Sequence, residues 1–535
     1  MPEWGDLQVD QLRFMARRDG DAPAYRDLDA GTAITFTEWD TRSNRLAAAL
    51  VDAGVAPGDR VSIYLPSDEA LRWIVAYAAV HKAGAVVVPT NTRLSVPEVT
   101  TILGHAEATV VITCGALLDT ALAVRDAVPS IRLVVSAGGA AGGAGVQDYD
   151  AFLAAADPAD IQVPRTLDDL ADIMYTSGTT GLPKGVAVRH RNVAMIPNHE
   201  PNWSGAGWIH GAPMFTFAGI AFIYNPMKMG LVGLYLPKFD AGRWLALVAA
   251  ERPQMAFLVP AMAELLVAHP DFATPDLTSL TAVSIGSAPL APQTLLTLQE
   301  RLPGATVSNS YGMTEAGPAY IVMPKDEVTK RIGSVGKPVG PMQLKIVRED
   351  GSECDAREVG ELLTRMEGAQ REYYNDEDAT AATWSPDGWL RSGDLAFLDE
   401  DGFLYIAGRK KDMIIRGGHN VYPTDIEAVL LEHPDVQEAA VVGIPHPVLG
   451  EDIAAYVVLR TGGDIDTESL LGFCSERLAD YKRPRELHFT DELPRNATGK
   501  VMKHKLLDAS AAVDPTLRRR PASVPGARAN FLRRT

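Results

Sequence analysis

Cysteine is scarce: Cys114, Cys354 and Cys474 are the whole complement of a 535-residue chain. Odd in number and widely spaced, they offer neither a disulfide framework nor a CxxC metal site, and a reducing cytoplasm is the expected home. Positive charge is also in deficit. Against 68 Asp and Glu stand 50 Lys and Arg, a formal net charge of −18, so the field of the whole molecule repels nucleic acid and anionic lipid. An anionic ligand would need a locally positive pocket. Long apolar runs are missing too. The greasiest stretch, 71–89, is interrupted by His81, Lys82 and Gly84, and the opening MPEWGDLQVD is acidic without an apolar core. Neither a signal peptide nor an integral membrane segment is expected.

What is present suits a globular protein. Hydrophobic residues make up 46% and charged residues 22%, enough to bury a sizeable core, and the length calls for more than one domain. Short β-branched runs alternate with helical patterns: a strand at 60–65, a helix over 68–83, a strand at 85–88. The series recurs at 109–113, 131–136, 171–175 and 282–285, which predicts strand–helix–strand crossovers and an α/β fold with a parallel sheet. The string SAGGAAGGAG at 136–145 cannot pack and reads as a surface loop. At 395–409 the pattern becomes a hairpin, LAFLDEDGFLYIAGR, with Asp401-Gly402 as a tight turn. A new alternation at 436–444 and 453–459 marks a smaller α+β domain. The last twenty residues carry six arginines (Arg518, Arg519, Arg520, Arg528, Arg533, Arg534) and no acid, a solvated basic tail.

The strongest chemical signal is YTSGTTGLPKG at 175–185, directly after the apolar run ADIMY. Glycines such as Gly178 and Gly181 let backbone N–H groups approach phosphate oxygens. Thr176, Ser177, Thr179 and Thr180 add hydroxyl donors, and Lys184 supplies a mobile point charge. The Walker A spacing fails, because no hydroxyl residue follows Lys184. A plain turn between strand and helix would explain two of the glycines but hardly the whole string.

This string resembles the phosphate loop of the AMP-forming acyl-adenylating superfamily, which comprises acyl-CoA synthetases, peptide-synthetase adenylation domains and firefly luciferase. Further strings follow in the family's order: IGSAPL at 285–290, NSYGMTE at 309–315, WLRSGD at 389–394, GRKKDMIIRGGHNVYP at 408–423 and PRNATGK at 494–500. The resemblance spans nearly the whole chain. It implies a large α/β domain with a small barrel-like part over 1–408, a hinge at 409–412, a smaller mobile α+β domain over 413–515 and a basic tail over 516–535.

The resemblance also implies roles. Gly286, Ser287, Ala288 and Pro289 would lie along the adenine and the acyl group, with Asn309, Ser310, Tyr311, Gly312 and Met313 forming the next nucleotide segment. Tyr311 offers a flat face for adenine, and Thr314 and Glu315 offer oxygens to phosphate and Mg²⁺. Alone, Tyr311 would pass for a core aromatic and Glu315 for a helix-start residue. Asp394 would accept the ribose hydroxyls, with Arg409 as a ribose or phosphate contact. Lys500 would stabilise charge as the carboxylate attacks the α-phosphate. Lys411 matches the hinge, and Gly417 and Gly418, followed by His419, resemble the loop lining a pantetheine tunnel.

For the acyl group the segment 208–222, WIHGAPMFTFAGIAF, is apolar and aromatic, which marks His210, Phe215, Thr216, Phe217 and Gly219, with Gly286 and Gly312, as substrate candidates. Many acyl-CoA synthetases carry a histidine where Thr216 stands. No carboxylate occurs from Trp203 to Lys238, which disfavours an amino acid substrate, because a buried ammonium would go unpaired. VVGIPHPVLGE at 441–451 and GGHNVYP resemble CoA ligases, so ATP, CoA and Mg²⁺ are the expected small molecules. The expected activity is an apolar carboxylic acid–CoA ligase, fatty, aryl or steroid-like, and a homodimer is compatible with it. Transfer to a carrier protein and a catalytically silent nucleotide-binding module stay open as alternatives.

Overall fold

A computed structural model describes residues 3–138, 144–176, 183–193, 196–288, 290–317, 320–368, 370–495 and 500–512. Of the candidates above, Ser177, Gly178, Thr179, Thr180, Gly181 and Pro289, together with the basic tail, lie outside the described residues. The chain divides into two compact units, Met1–Lys411 and Asp412–Thr535.

Among the described residues, three sheets organise the larger unit. The first has eight strands: Arg60–Ile63, Val86–Pro89, Ala108–Cys114, Leu133–Ala137, Val146–Asp148 and Leu170–Thr176 run parallel, and Lys184–Arg189 and then Glu372–Tyr373 join antiparallel at one edge. The second has seven strands, parallel from Thr306–Ser310 through Ala282–Gly286, Met255–Leu258, Gly207–His210 and Val232–Tyr235 to Pro23–Asp27. The central strand runs, Val86–Pro89 and Ala108–Cys114 among them, are β-branched and buried on both faces, as crossover topology demands. Helix Ala70–Lys82 is buried continuously from Trp73 to Lys82, with Leu71 and Arg72 half-buried in its first turn. Its last residue, Lys82, is 2% exposed and bonds Asp40 Oδ1 and Asn44 Oδ1, each at 2.6 Å; burial pushes its ammonium down to about 8.

The third sheet, of six antiparallel strands running from Ile321–Val322 to Met342–Val347, is the barrel-like part. It contains the expected hairpin, as strands Leu390–Leu398 and Leu404–Arg409, but the connection differs from a two-residue turn. Leu398 pairs with Leu404, leaving a five-residue loop over 399–403. The Asp399 carboxylate accepts from the backbone N–H groups of Asp401 (3.0 Å) and Phe403 (2.9 Å), and Arg331 pairs with both Asp399 and Asp401. That side-chain scaffold stabilises the wider turn over a tight one.

In the smaller unit, the long hairpin Val436–His446 with Gly450–Leu459 is extended by Ile414–Arg416, His419–Val421 and Glu486–Phe489, over helices Pro423–Leu431 and Thr467–Arg477. This is the expected α+β unit. Among the described residues no helix is long and apolar enough to cross a membrane.

Candidate active site

The string at 175–185 is not a strand-to-helix turn. It joins two antiparallel strands, and Thr176 and Lys184 face each other across the ladder. The loop between them is therefore held at both ends by the edge of the eight-stranded sheet.

Around that hairpin mouth the structure gathers residues from three segments. Thr176 Oγ1 donates to Glu315 Oε1 (3.4 Å), and the Tyr373 hydroxyl donates to the same oxygen (3.3 Å). Lys184 Nζ sits 5.0 Å from the centre of the Tyr373 ring, a cation over an aromatic face. Tyr373 reaches this place because Glu372–Tyr373 pairs with the hairpin, Tyr373 opposite Val186 and Glu372 opposite Ala187. Burial and then Glu315 push the phenol up, so it keeps its proton and donates. Next to it, buried Arg371 donates through Nη1 to the Thr314 carbonyl and through Nη2 to the Asn192 carbonyl (2.5 Å). Burial lowers this guanidinium to about 10. Neither Arg371 nor Tyr373 carries a sequence signal: the string QREYYN has no glycine and no periodicity, and its two-residue strand exists only by edge pairing.

A second group lies where the seven-stranded and six-stranded sheets supply neighbouring side chains. Tyr311, just past Thr306–Ser310, donates to Asp394 Oδ2 (2.5 Å), while Arg409 Nε meets Asp394 Oδ1 (2.6 Å). Asp394 and Arg409 are opposite residues of one ladder, and Asp394 is 3% exposed. Burial, followed by Asp394, pushes the Tyr311 phenol well up. The structure thus brings Tyr311, Asp394 and Arg409 together. Asn309 and Ser310 pair with Ile285 and Gly286, and Ser310 Oγ meets Ser284 Oγ at 2.5 Å. Ser287 is exposed with φ 79°, a left-handed backbone that a side-chain-bearing residue adopts at a cost on the order of 1–3 kcal/mol. Ala288 is half-buried beside it, and Gly312 and half-buried Met313 open the turn that leads to Thr314.

In the apolar segment, Thr216 caps helix Phe217–Lys228: its Oγ1 accepts from Gly219 N (3.0 Å) and donates to the Pro213 carbonyl (2.7 Å). Gly219 cannot carry a side chain, because a Cβ would stand 2.1 Å from the Pro213 oxygen. Phe215 and Phe217 are half-buried, and the Phe217 ring lies 5.3 Å from the Arg371 guanidinium carbon. His210 is placed differently from a ligand contact. It is 1% exposed, bonds the Tyr25 hydroxyl through Nε2 (2.6 Å) and stacks on Phe222 (4.6 Å); burial holds it neutral, down to about 3.

In the smaller unit, Gly417 (φ 58°) and Gly418 (φ 85°) form a two-residue hairpin turn between paired Arg416 and His419, a left-handed pair that glycine adopts without strain. His419 stacks on Tyr481 (4.6 Å, 23°). Lys411 is exposed at the boundary of the two units. Lys500 is exposed next to Val501, which pairs with Arg495 and closes the PRNATGK turn at its base; residues 496–499 of that turn lie outside the described residues.

Comparison with known proteins identifies the family of the chain. The model of the AMP-binding enzyme family matches residues 12–374, and that of the AMP-binding enzyme C-terminal domain matches 425–500. The chain is 36% identical over 494 residues to a feruloyl-CoA synthase of Amycolatopsis sp, covering 91% of this chain and 96% of that one. It is 32% identical over 526 residues to a long-chain-fatty-acid–CoA ligase of Bacillus subtilis, covering 89% and 90%. The crystal structure of the anthranilate CoA ligase AuaEII in complex with anthranoyl-AMP superposes with a TM-score of 0.85 at 27% identity, covering 96% of this chain and 98% of that one. The chain belongs to the AMP-binding enzyme family and is an AMP-forming carboxylic acid–CoA ligase.

Proposed function

We propose that the acid activated is apolar, an aryl, alkyl or fused-ring carboxylic acid, and that adenylation takes place at the hairpin mouth formed by Thr176, Lys184, Thr314 and Glu315. The observation that carries this is the cluster itself: Lys184, Thr176 and Glu315 meet around Tyr373, and the adjoining Arg371 links the Thr314 carbonyl to Phe217 of an aromatic segment with no carboxylate from Trp203 to Lys238. The relatives named for ferulate and for long-chain fatty acids bracket that class.

In the first half-reaction the substrate carboxylate oxygen attacks the α-phosphorus of ATP, pyrophosphate leaves, and acyl-AMP remains. Lys184 offsets phosphate charge, Asp394 accepts from the ribose hydroxyls, and Tyr311 is held with its ring for adenine by its bond to Asp394. Lys500 contributes its ammonium to this half-reaction. In the second, the CoA sulfur attacks the acyl carbon and AMP departs with the bonding pair, giving the thioester. Lys411 is the pivot between half-reactions, and the turn at Gly417 and Gly418 serves the thiol arm. Splitting one condensation into two displacements keeps each barrier accessible.

Glu315 suits Mg²⁺, because its carboxylate lies among neutral hydroxyls, a hard-oxygen environment. Among the described residues no three His, Cys, Asp or Glu side chains form a cage. Glu315 with Thr314 would hold the ion together with ATP oxygens, and the ion would supply charge neutralisation on the phosphates.

The test is AMP release across a panel of medium-chain, long-chain, aryl and steroid carboxylates, with amino acids as the contrasting set. Release that requires an apolar acid and CoA supports the reading. Comparable kcat/KM with an amino acid refutes it.

A further inference from the structure

We propose that Arg371 is a positioning residue for the adenylation half-reaction, its guanidinium locking the Thr314–Glu315 backbone to the Lys184 hairpin and to the start of the Phe217 helix. The inference rests on the roles proposed above for Thr314 and Glu315.

The residue is 2% exposed, a placement that costs a guanidinium its hydration unless hydrogen bonds replace it. Nε is buried without a hydrogen-bond partner among the described residues, and the two terminal nitrogens are used on segments remote in sequence. Nη1 serves the Thr314 carbonyl, inside the nucleotide motif, and Nη2 serves the Asn192 carbonyl, just past the hairpin strand Lys184–Arg189. The face of the group lies over Phe217 at the start of the substrate-segment helix. The charge is offset from a further direction by Asp172 of strand Leu170–Thr176, itself 1% exposed and held by the Tyr77 hydroxyl (2.9 Å) and His81 Nε2 (3.1 Å).

The turn carrying Glu315 is moulded on this group. Met313 pairs with Gly317, and a Cβ on Gly317, which has φ 73°, would lie 2.9 Å from Arg371 Nη2. Packing alone does not call for a guanidinium, since a buried charge is commonly replaced by apolar volume without loss of stability. What an apolar residue cannot do is bond two carbonyls from different segments at once, and a lysine, a point charge without the planar fork, matches that geometry poorly. Thr314 and Glu315 sit on the same short turn as the anchored carbonyl, so its register sets where their oxygens point.

The experiment compares Arg371→Met, Arg371→Lys and Glu315→Gln in two assays at low temperature, normalised to folded protein by thermal melting. One is acid-dependent pyrophosphate exchange, with kcat and KM for ATP separated; the other is thioester formation from supplied acyl-AMP. Displacing reacting groups by about an ångström costs on the order of a hundredfold, so Arg371→Met should lower exchange kcat by about that factor with KM for ATP changed far less. Thioester formation should stay within about threefold of wild type. Arg371→Lys, which keeps the charge and one carbonyl bond, should recover about tenfold of the loss. Parallel loss in both assays, or a lower melting temperature with unchanged exchange per folded molecule, overturns the proposal. Normal exchange in Glu315→Gln overturns the reading of the motif and the proposal with it, whereas impaired Glu315→Gln beside normal Arg371→Met overturns the proposal alone.

Discussion

Two of the contacts that Tyr373 makes, with Glu315 and with Lys184, are separable, and a stepwise truncation should reveal both. Tyr373→Phe removes the hydroxyl that donates to Glu315 Oε1 at 3.3 Å but leaves the ring beneath Lys184 Nζ. A hydrogen bond to a carboxylate contributes about 1.5–3 kcal/mol at good geometry. This one is longer than the usual O–H···O range, so about 1 kcal/mol is the better figure, about a fivefold fall in the adenylation kcat. Tyr373→Leu also removes the aromatic face, worth a further ~0.5–1 kcal/mol at a half-buried site, and the combined loss approaches thirtyfold. The assay is acid-dependent pyrophosphate exchange at saturating ATP, with melting temperatures recorded for each variant. Because the Tyr373 phenol stays protonated, the effect should be flat from pH 6 to 9, the window on the order of physiological pH. Equal damage from Phe and Leu would mean that the ring contact is irrelevant. An undamaged Leu variant would refute the placement of Tyr373 in the site.

Lys500→Ala should abolish pyrophosphate exchange yet largely spare thioester formation from supplied acyl-AMP, and Lys411→Pro should show the reverse pattern; equal loss of both half-reactions in either variant contradicts its role. A third expectation concerns stability. Lys228 is fully buried at the end of helix Phe217–Lys228, donates to the Ile196 carbonyl (2.7 Å), and is pushed by burial down to about 7 from 10.5. Between those values the unfolded chain holds more protons than the folded one, so this residue's effect on stability becomes more favourable as pH rises through the window. The advantage of Lys228→Met over wild type, read from denaturant melts, should therefore be larger at about pH 6 than at about pH 9, by on the order of 3 kcal/mol. A pH-independent difference would show that the ammonium is not titrating in the core.

Much of the framework was legible because it depends on local rules. β-Branched runs such as 109–113 and 282–285 announce buried parallel strands, and both occur, as Ala108–Cys114 and Ala282–Gly286. The glycine pair 417–418 announces a turn because only a left-handed backbone closes that hairpin without strain. Other features depend on tertiary pairing and left no trace in the string. Leu170–Thr176 and Lys184–Arg189 form an antiparallel hairpin at a sheet edge, although the loop between them reads like a strand-to-helix connection. Arg371 and Tyr373 enter the site only because a two-residue strand docks on that edge. At His210 the aromatic neighbourhood reads as a pocket lining, and in the structure the ring is buried, bonded to Tyr25 from a distant segment and stacked on Phe222 of its own segment. The hydroxyl of Thr216, in the position expected to meet substrate, is occupied with capping its helix.

The most direct measurement is a crystal structure with a non-hydrolysable acyl-adenylate mimic bound. The ribose hydroxyls should meet the Asp394 carboxylate and the phosphate should lie between Lys184 and Thr314, with the acyl group against the half-buried Phe215 and Phe217. An adenylate bound elsewhere, with that hairpin mouth unaltered, would contradict the account.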